Sequence, residues 1–358
     1  QSVEPGICRE YPIRVAYSPL NGTGREPVLR IMRDIGVSEV CVVAEQEMPD
    51  GDFPTCTYPN PETKEALALG LKLAEEKRAD LLIATDPDCD RAGVAFRDRD
   101  GGYRILSGNE IGVLLLWYIC SRRFAKGTLP KGAVAVESLV STELAGEIAR
   151  AYEVEMRRVL TGFKYIGEQI LRLEEKGEEE RFIFGFEESC GYLSGSYVRD
   201  KDAVNASLLL CELASRLKVE GTTAPELMES LFEKYGYYLS RVESFEFAGL
   251  DGKEKMARVM SGLHENPPRE IAGFRVLCLS DYKTGLKTDR AKGAQEEIDL
   301  PSSDMVEFSL EGGASLIIRP SGTEPKMKAY MTAKEKTEAA SLVVLESLSS
   351  AVKELLGF

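Results

Sequence analysis

The stretch Leu81-Leu82-Ile83-Ala84-Thr85-Asp86-Pro87-Asp88-Cys89-Asp90-Arg91 joins an apolar run of strand length to three closely spaced carboxylates. The run 81–85 predicts a buried strand, and Thr63–Lys77 before it predicts an amphipathic helix. The stretch Arg181-Phe182-Ile183-Phe184-Gly185-Phe186-Glu187-Glu188 again leads from an apolar strand into an acidic loop. We therefore predict a duplicated α/β unit with functional loops at equivalent strand ends, where such sheets bind ligands.

Strand-like and helix-like periods alternate through the first half of the chain, as they do in α/β folds. The predicted strands there are 13–17, 40–44, 81–85, 133–136, 155–160 and 182–185, and the predicted helices are 27–35, 63–77, 142–152 and 166–174. Beyond residue 240 the predicted strands are 241–247, 274–279, 305–310 and 315–319, and the helices are 252–262 and 337–356. The expected fold class is α/β: two duplicated α/β domains with mixed sheets (1–104 and 105–240) plus a C-terminal α+β domain (241–358).

Composition limits the classes of function. The 358 residues carry 45 Lys and Arg against 59 Asp and Glu, a formal charge of −14, which disfavours binding to nucleic acid or anionic membranes. The longest apolar stretch, Ile111–Cys120, is too short to span a bilayer, and no secretory signal pattern opens the chain. Eight scattered cysteines without a C-x-x-C pair favour reduced thiols in the cytoplasm and suggest no zinc site.

Asp86, Asp88 and Asp90 form the candidate metal site. Three like charges this close repel one another unless a cation neutralises them, and oxygen-only ligands select Mg²⁺ before Ca²⁺ in a cytoplasmic protein. An EF-hand loop is excluded, because its glycine and its final acidic ligand would fall on Arg91 and Arg97. The alternatives are a solvated acidic turn and a phosphatase loop of the haloacid-dehalogenase type, which the third carboxylate and the later loops fit poorly.

Two further loops have the chemistry of ligand binding. Arg319-Pro320-Ser321-Gly322-Thr323-Glu324-Pro325-Lys326 offers a guanidinium, two hydroxyls and glycine-freed backbone N–H groups, the donors that a phosphate dianion accepts. Gly185-Phe186-Glu187-Glu188-Ser189-Cys190-Gly191 offers carboxylate and hydroxyl groups for sugar hydroxyls. By itself the first loop is equally compatible with a polar turn. For the second loop, a glutamate pair on a surface loop is the commoner explanation.

Two other features carry less chemistry. Asn21-Gly22-Thr23-Gly24 lacks the Gly-Lys-Ser/Thr ending of a Walker A motif, so nucleotide binding is not supported. The sole histidine, His264, lies in a polar stretch near Pro267 and is expected at the surface. Histidine-based acid–base catalysis therefore has little to work with in this chain.

The loops 86–91, 185–191 and 319–326, in this order, resemble the metal-binding, sugar-binding and phosphate-binding loops of the α-D-phosphohexomutases, in the phosphoglucomutase/phosphomannomutase branch. The resemblance extends over almost the whole chain. The supporting segments are Pro19-Leu20-Asn21-Gly22-Thr23-Gly24, Thr161-Gly162-Phe163-Lys164 and Tyr197-Val198-Arg199-Asp200-Lys201-Asp202.

The resemblance implies a four-domain enzyme. The first domain supplies a phosphoserine, the second holds Mg²⁺, the third binds the sugar and the fourth binds the substrate phosphate. The phosphoserine donates its phosphoryl group to a hexose 1-phosphate, the bisphosphate reorients, and the enzyme recovers a phosphoryl group as hexose 6-phosphate forms. Glucose is expected ahead of mannose.

Site residues follow from the same resemblance. It implies Mg²⁺ ligands at Asp86, Asp88 and Asp90, and catalytic roles for Arg91 at the transferring phosphoryl group and for Lys164 facing the substrate. It implies a substrate-binding set of Glu187, Ser189, Arg199, Lys201, Arg319, Ser321, Gly322 and Thr323.

The family's phosphoserine loop is the one expected part that the 358 residues do not contain. We therefore expect that the first domain of the same protein is missing and that this chain alone is inactive. The expected partners are hexose phosphates, hexose 1,6-bisphosphate and that missing domain, with no nucleic acid and no membrane. The alternatives are a non-catalytic sugar-phosphate-binding module and a Mg²⁺-dependent phosphatase with Asp86 as nucleophile.

Overall fold

The structure is a computed structural model, and it describes residues 1–247, 249, 251–321 and 324–358. The chain is a mixed α/β protein with three sheets in this described part, and it divides into two compact units, residues 1–230 and 231–358. The predicted fold class is confirmed. None of the helices in the described ranges combines the length and the apolar character that crossing a bilayer requires.

The elements have the following bounds in chain order. The α-helices are α1 (Ile7–Glu10), α2 (Arg25–Ile35), α3 (Lys64–Lys77), α4 (Gly108–Ala125), α5 (Leu144–Ala151), α6 (Phe163–Glu174), α7 (Ala203–Glu220), α8 (Ala224–Tyr235), α9 (Gly252–Glu265) and α10 (Glu338–Leu356). The strands are β1 (Arg14–Ser18), β2 (Glu39–Val42), β3 (Leu81–Thr85), β4 (Ala92–Arg97), β5 (Tyr103–Leu106), β6 (Val134–Ser138), β7 (Glu155–Val159), β8 (Phe182–Glu187), β9 (Gly191–Leu193), β10 (Tyr237–Glu246), β11 (Glu270–Ile271), β12 (Phe274–Asp281), β13 (Leu286–Asp289), β14 (Ala294–Glu297), β15 (Val306–Leu310), β16 (Ser315–Pro320) and β17 (Lys326–Glu335). Short 3-10 helices span Ala44–Gln46, Glu179–Arg181 and Glu311–Gly313.

The first sheet has the order β2-β1-β3-β4-β5, with β2, β1 and β3 parallel and β4 and β5 antiparallel. Helix α3 begins at Thr63, whose side-chain oxygen accepts the N–H of Ala66 and so satisfies a donor that the first turn leaves open. The helix packs Ala66, Leu67 and other small or apolar residues against the inner face of β3. This packing holds β3 in place and so positions the loop that follows Thr85.

The second sheet repeats that arrangement. Its order is β7-β6-β8-β9, with three parallel strands followed by one antiparallel strand. Helix α6 covers the sheet, and its buried Phe163, Ile166 and Ile170 belong to one apolar cluster with Val134 and Val136 of β6. Strands β3 and β8 therefore occupy equivalent positions, and the loop that follows each of them emerges at the equivalent place.

The second unit contains an antiparallel sheet of order β10-β17-β16-β15-β12-β13-β14, with β11 paired to β12. Helices α9 and α10 contribute Met260, Leu263, Leu345 and Leu348 to the apolar cluster on one face of this sheet. The surface position expected for His264 is wrong. Its side chain is only 8% exposed, because the ring lies between Asp281 (3.0 Å) and Asp304 (2.8 Å).

Candidate active site

The acidic loop, residues 86–91, follows β3 directly. Asp86 is buried, and its Oδ1 accepts the backbone N–H groups of Asp90 (3.0 Å) and Arg91 (2.9 Å). These bonds close the loop, and Cys89 takes the left-handed conformation with φ 61° at its tip. A non-glycine residue in this region is strained, and such strain often occurs at functional sites.

The acidic loop brings three carboxylates together. Asp86, Asp88 and Asp90 each offer an oxygen, and these oxygens lie within 4.8 Å of one another. Burial first, and then the charges of Asp90 and Asp88, raise the pKa of Asp86 to about 7. Oδ1 of Asp90 is buried and has no hydrogen-bond partner in the part of the chain that the structure describes. Oxygens on opposite sides of a small oxygen-bound cation lie about 4–5 Å apart, so the three residues fit such a cation.

Residues 19–24 pack against the acidic loop and bond to its backbone. The carbonyl oxygen of Pro87 accepts hydrogen bonds from the backbone N–H (2.8 Å) and the hydroxyl (3.0 Å) of Thr23. A Cβ on Gly22 would lie 2.3 Å from the Cα of Pro87, so only glycine permits this approach. The glycine-containing segment 21–24 therefore contacts the acidic loop.

The glutamate loop, residues 185–191, lies at the end of β8. Glu187 is buried, and its Oε1 accepts the backbone N–H of Gly162 at 2.6 Å. Gly162 has φ 116°, a conformation that only glycine adopts easily, immediately before helix α6. Burial raises the pKa of Glu187, although the Gly162 N–H and the charges of Lys201 and Arg91 oppose the rise. Glu188 accepts the hydroxyl hydrogen of Ser138 at 3.1 Å.

Backbone contacts join the acidic loop to the glutamate loop. Arg91 and Gly191 form an antiparallel bridge, and the N–H of Ala92 donates to the carbonyl of Cys190 at 3.0 Å. Lys201 adds a side-chain link, since its Nζ lies 2.7 Å from Oδ2 of Asp90. Burial lowers the pKa of Lys201, but the hydrogen bond and charge of Asp90 outweigh burial and raise it above its usual value. The two loops are thus joined through both backbone and side-chain atoms.

Of three other candidate residues, two lie around these loops and the side chain of the third does not. Lys164 is exposed in the first turn of α6, with its Nζ 4.8 Å from the centre of the Tyr165 ring. Ser189 is half-buried in the glutamate loop. The guanidinium of Arg199 is directed away from the loops, because it pairs with Glu174 at the opposite end of α6 from Gly162, about 18 Å along the helix.

The Arg-Ser loop, residues 319–326, connects β16 to β17 in the second unit. Arg319 is the penultimate residue of β16 and is directly opposite Lys328 of β17, so two cations are cross-strand neighbours. The N–H of Ser321 donates to the carbonyl of Lys326 at 2.7 Å, which narrows the loop. Gly322 and Thr323 lie outside the described residues. The described part of the loop therefore presents Arg319 and Ser321, with Lys328 beside them.

Comparison with known proteins identifies the family. Family models of phosphoglucomutase/phosphomannomutase match residues 7–101 (alpha/beta/alpha domain II), 107–235 (alpha/beta/alpha domain III) and 279–347 (C-terminal domain). The chain belongs to the phosphoglucomutase/phosphomannomutase family. This confirms the family resemblance inferred from the three loops.

Relatives within the family are longer than this chain. The Haemophilus influenzae protein named "Probable phosphomannomutase" is 37% identical over 96% of this chain and 64% of its own length. A Staphylococcus aureus phosphoglucomutase is 37% identical over 92% of this chain and 58% of its own length. The chain therefore spans about three fifths of the length of the relatives it matches.

Solved structures of the family share the fold at low sequence identity. The open form of a Paramecium phosphoglucomutase, parafusin, matches with a TM-score of 0.68 and 17% identity, over 99% of this chain and 59% of that one. The N-acetylphosphoglucosamine mutase of Aspergillus fumigatus, solved with GlcNAc-6P and magnesium, matches with a TM-score of 0.53 and 16% identity, over 98% and 63%.

The sequence analysis did not identify three residues that contact or face the candidate site residues. Glu62 lies 3.7 Å from Arg91, Ser138 bonds to Glu188, and Lys328 faces Arg319. Glu62 and Ser138 are distant in sequence from the loops they contact, and neither belongs to a quoted motif. Lys328 could have been found, because a strand returning after the Arg-Ser loop would place a residue opposite Arg319.

Proposed function

We propose that the protein containing this chain interconverts hexose 1-phosphate and hexose 6-phosphate, with glucose ahead of mannose, through a hexose 1,6-bisphosphate. The observation that carries the proposal is the backbone junction of the acidic and glutamate loops. The carboxylates of Asp86, Asp88 and Asp90, which we propose bind a cation, thereby lie near Arg91, Lys201 and the loop that carries Glu187. The phosphomannomutase and phosphoglucomutase names of the relatives support the same class of reaction.

The chain's own residues would bind and orient the substrate. Glu187, already oriented by Gly162, would accept hydrogen bonds from sugar hydroxyls, and Ser189 and Lys201 would complete that contact. Arg91 would stabilise negative charge on the transferring phosphoryl group, and Lys164 would face the substrate. Arg199 would have to leave Glu174 before it could bind substrate.

The non-reacting phosphate would bind at the Arg-Ser loop. Arg319, Ser321, Gly322 and Thr323 are the proposed donors, and a guanidinium with hydroxyl and backbone N–H groups suits a phosphate dianion. Lys328 adds a second cation next to Arg319. Phosphoryl transfer depends mostly on positioning and charge stabilisation, which is what these groups offer.

Asp86, Asp88 and Asp90 would hold Mg²⁺, the ion named with the Aspergillus fumigatus enzyme. When bound, Mg²⁺ supplies Lewis-acid polarisation of a phosphoryl oxygen. We also propose three domains with boundaries near residues 104 and 240. A cytoplasmic location is proposed because all eight cysteines are free thiols, which suits a reducing compartment.

A coupled assay for glucose 6-phosphate formed from glucose 1-phosphate, with a trace of glucose 1,6-bisphosphate, tests the proposal. We expect turnover by a longer form of the protein that includes the phosphoserine domain, and background rates for residues 1–358 alone. Turnover by these residues alone would show that the phosphoryl-carrying residue is already present. An inactive longer form would favour a binding module or another sugar. Release of inorganic phosphate by residues 1–358 would favour the phosphatase alternative.

A further inference from the structure

Three carboxylates surround the guanidinium of Arg91 at similar distances. Its Nη1 lies 3.7 Å from Oε1 of Glu62, and its Nε lies 3.9 Å from Oδ2 of Asp86 and 3.8 Å from Oδ1 of Asp90. Nε is buried and has no hydrogen-bond partner among the described residues. The ion pairs therefore hold Arg91 in place by charge, while its N–H donors are not used up by close hydrogen bonds.

Glu62 belongs to neither loop, yet its backbone is well fixed. It lies in the connection that leads into α3, where its N–H donates to Oδ1 of Asn60 at 3.0 Å in an Asx turn. On one side Pro61 packs so closely on Gly93 that a Cβ there would lie 2.1 Å from the Pro61 carbonyl oxygen. On the other side Thr63 caps α3. The Glu62 carboxylate is thus presented to Arg91 by a constrained turn.

The three attractions do not all pull in one direction. Asp86 and Asp90 draw Nε towards the acidic loop, whereas Glu62 draws Nη1 towards the connection before α3. If Glu62 lost its charge, the attraction towards the connection before α3 would disappear, while the ion pairs with Asp86 and Asp90 would remain. Movement of about 1 Å would then bring Nε within the 2.7–3.2 Å of a hydrogen bond to these aspartates. Arg91 would then occupy carboxylate oxygens that a cation needs.

We propose that Glu62 is a positioning residue for Arg91. It holds the guanidinium off the cation-binding carboxylates, with its remaining N–H donors available to the transferring phosphoryl group. This inference rests on the proposed function, which assigns the cation to Asp86, Asp88 and Asp90. Glu62 belongs to none of the three loop motifs, and its proposed effect on the cation site is exerted through Arg91.

A double-mutant cycle on Mn²⁺ affinity, measured by calorimetry on residues 1–358, tests the proposal. We expect Glu62→Gln to weaken Mn²⁺ binding about 3- to 10-fold, because Arg91 then competes for the aspartates. In an Arg91→Met background the same Glu62→Gln change should alter Mn²⁺ affinity less than about twofold. Glu65→Gln, an equal loss of charge on exposed α3 surface, is the matched control and should leave the affinity within about twofold.

An equal effect of Glu62→Gln in both backgrounds would overturn the proposal, because Glu62 would then act on the cation directly through its charge. A second readout does not depend on metal: the Nε–H resonance of Arg91 in ¹⁵N-labelled protein, identified by its loss in Arg91→Met. Glu62→Gln should move this proton downfield as Nε gains a carboxylate partner. An unmoved resonance would overturn the proposal. A shift in a chain that binds no Mn²⁺ would support the Glu62–Arg91 contact while refuting the metal assignment.

Discussion

Replacing Gly22 by alanine should displace the acidic loop while leaving its three carboxylate side chains chemically unchanged. The new Cβ would lie 2.3 Å from Cα and 2.5 Å from the carbonyl oxygen of Pro87, about 1 Å closer than ordinary contact. Both partners are backbone, so no flexible side chain can give way. Gly22 does not have a positive φ, and the cost is therefore steric.

The magnitude follows from the two contacts that must open. Overpacking of this kind costs about 1–3 kcal/mol, and the loss of one Thr23 hydrogen bond to Pro87 adds about 0.5–1.5 kcal/mol. Together these two contributions should lower the free energy of unfolding by about 1.5–4.5 kcal/mol. Pro87 lies between Asp86 and Asp88, and metal–ligand distances tolerate only about 0.2 Å, so Mn²⁺ affinity should fall at least about 10-fold.

Urea denaturation and Mn²⁺ calorimetry measure both effects. Gly146→Ala is the control, since a Cβ at Gly146 on α5 would have no atom of the described residues within 4 Å. Alanine is the better helix former there, so stability should be unchanged or raised by up to about 1 kcal/mol. If the Gly22→Ala protein unfolds, Thr23→Val removes one hydrogen bond to Pro87 without adding a Cβ and should lower Mn²⁺ affinity more modestly. If Gly22→Ala had the stability and the Mn²⁺ affinity of the wild type, the packing of Gly22 on Pro87 would not be what positions the acidic loop.

Three further predictions follow from individual residues. Asp88→Ala should abolish or strongly weaken Mg²⁺ binding measured by calorimetry, and equal binding by both proteins would count against the metal site. Arg319→Ala should weaken binding of a sugar phosphate by about 1.5–3 kcal/mol with an unchanged circular-dichroism spectrum, because a charged donor is lost from a loop; an unchanged Kd would exclude that role. Burial raises the pKa of Glu137 to about 8, so the folded state keeps a proton that the unfolded state releases, and stability is lost as pH rises from about 4.5 to about 8. In Glu137→Gln the loss of unfolding free energy with rising pH should be smaller by roughly 1–3 kcal/mol. If the unfolding free energies of the wild type and the variant fell with the same slope between about pH 5 and 9, this prediction would be wrong.

The sequence was informative where one face of an element is buried. Strand β3 begins and ends at the predicted residues, and α3 is capped by the residue predicted to begin it. Helices α4 and α7 were missed, although both have 18 residues. Most of their residues are buried, so neither has the polar face that makes a helical period visible in sequence. Strand β4 was missed because a short run after the acidic loop has no distinctive period.

Motifs located the loops but not the contacts between them. The order of the three loops was enough to indicate the family, because each loop keeps a recognisable sequence. The partners that orient the loops lack such sequences: Glu62 precedes Arg91 by nearly thirty residues, and Gly22 lies still further from Pro87. These contacts depend on which segments the sheet brings together, and residue spacing does not contain that information. Arg199 shows the converse, a motif residue whose guanidinium the fold directs to Glu174.

Duplication accounts for the way the acidic and glutamate loops meet. Each follows the third strand of its sheet, each places a cysteine in the left-handed conformation three residues after its first carboxylate, and each leads into an antiparallel strand. The bridge between Arg91 and Gly191 and the bond from Ala92 to Cys190 join the starts of these two antiparallel strands through backbone atoms. Backbone bonds do not depend on side-chain identity, so the junction leaves the side chains of the two copies free to differ. The backbone junction therefore keeps the two loops adjacent whatever their side chains are, which is compatible with the different roles proposed for them, a cation at one and a sugar at the other.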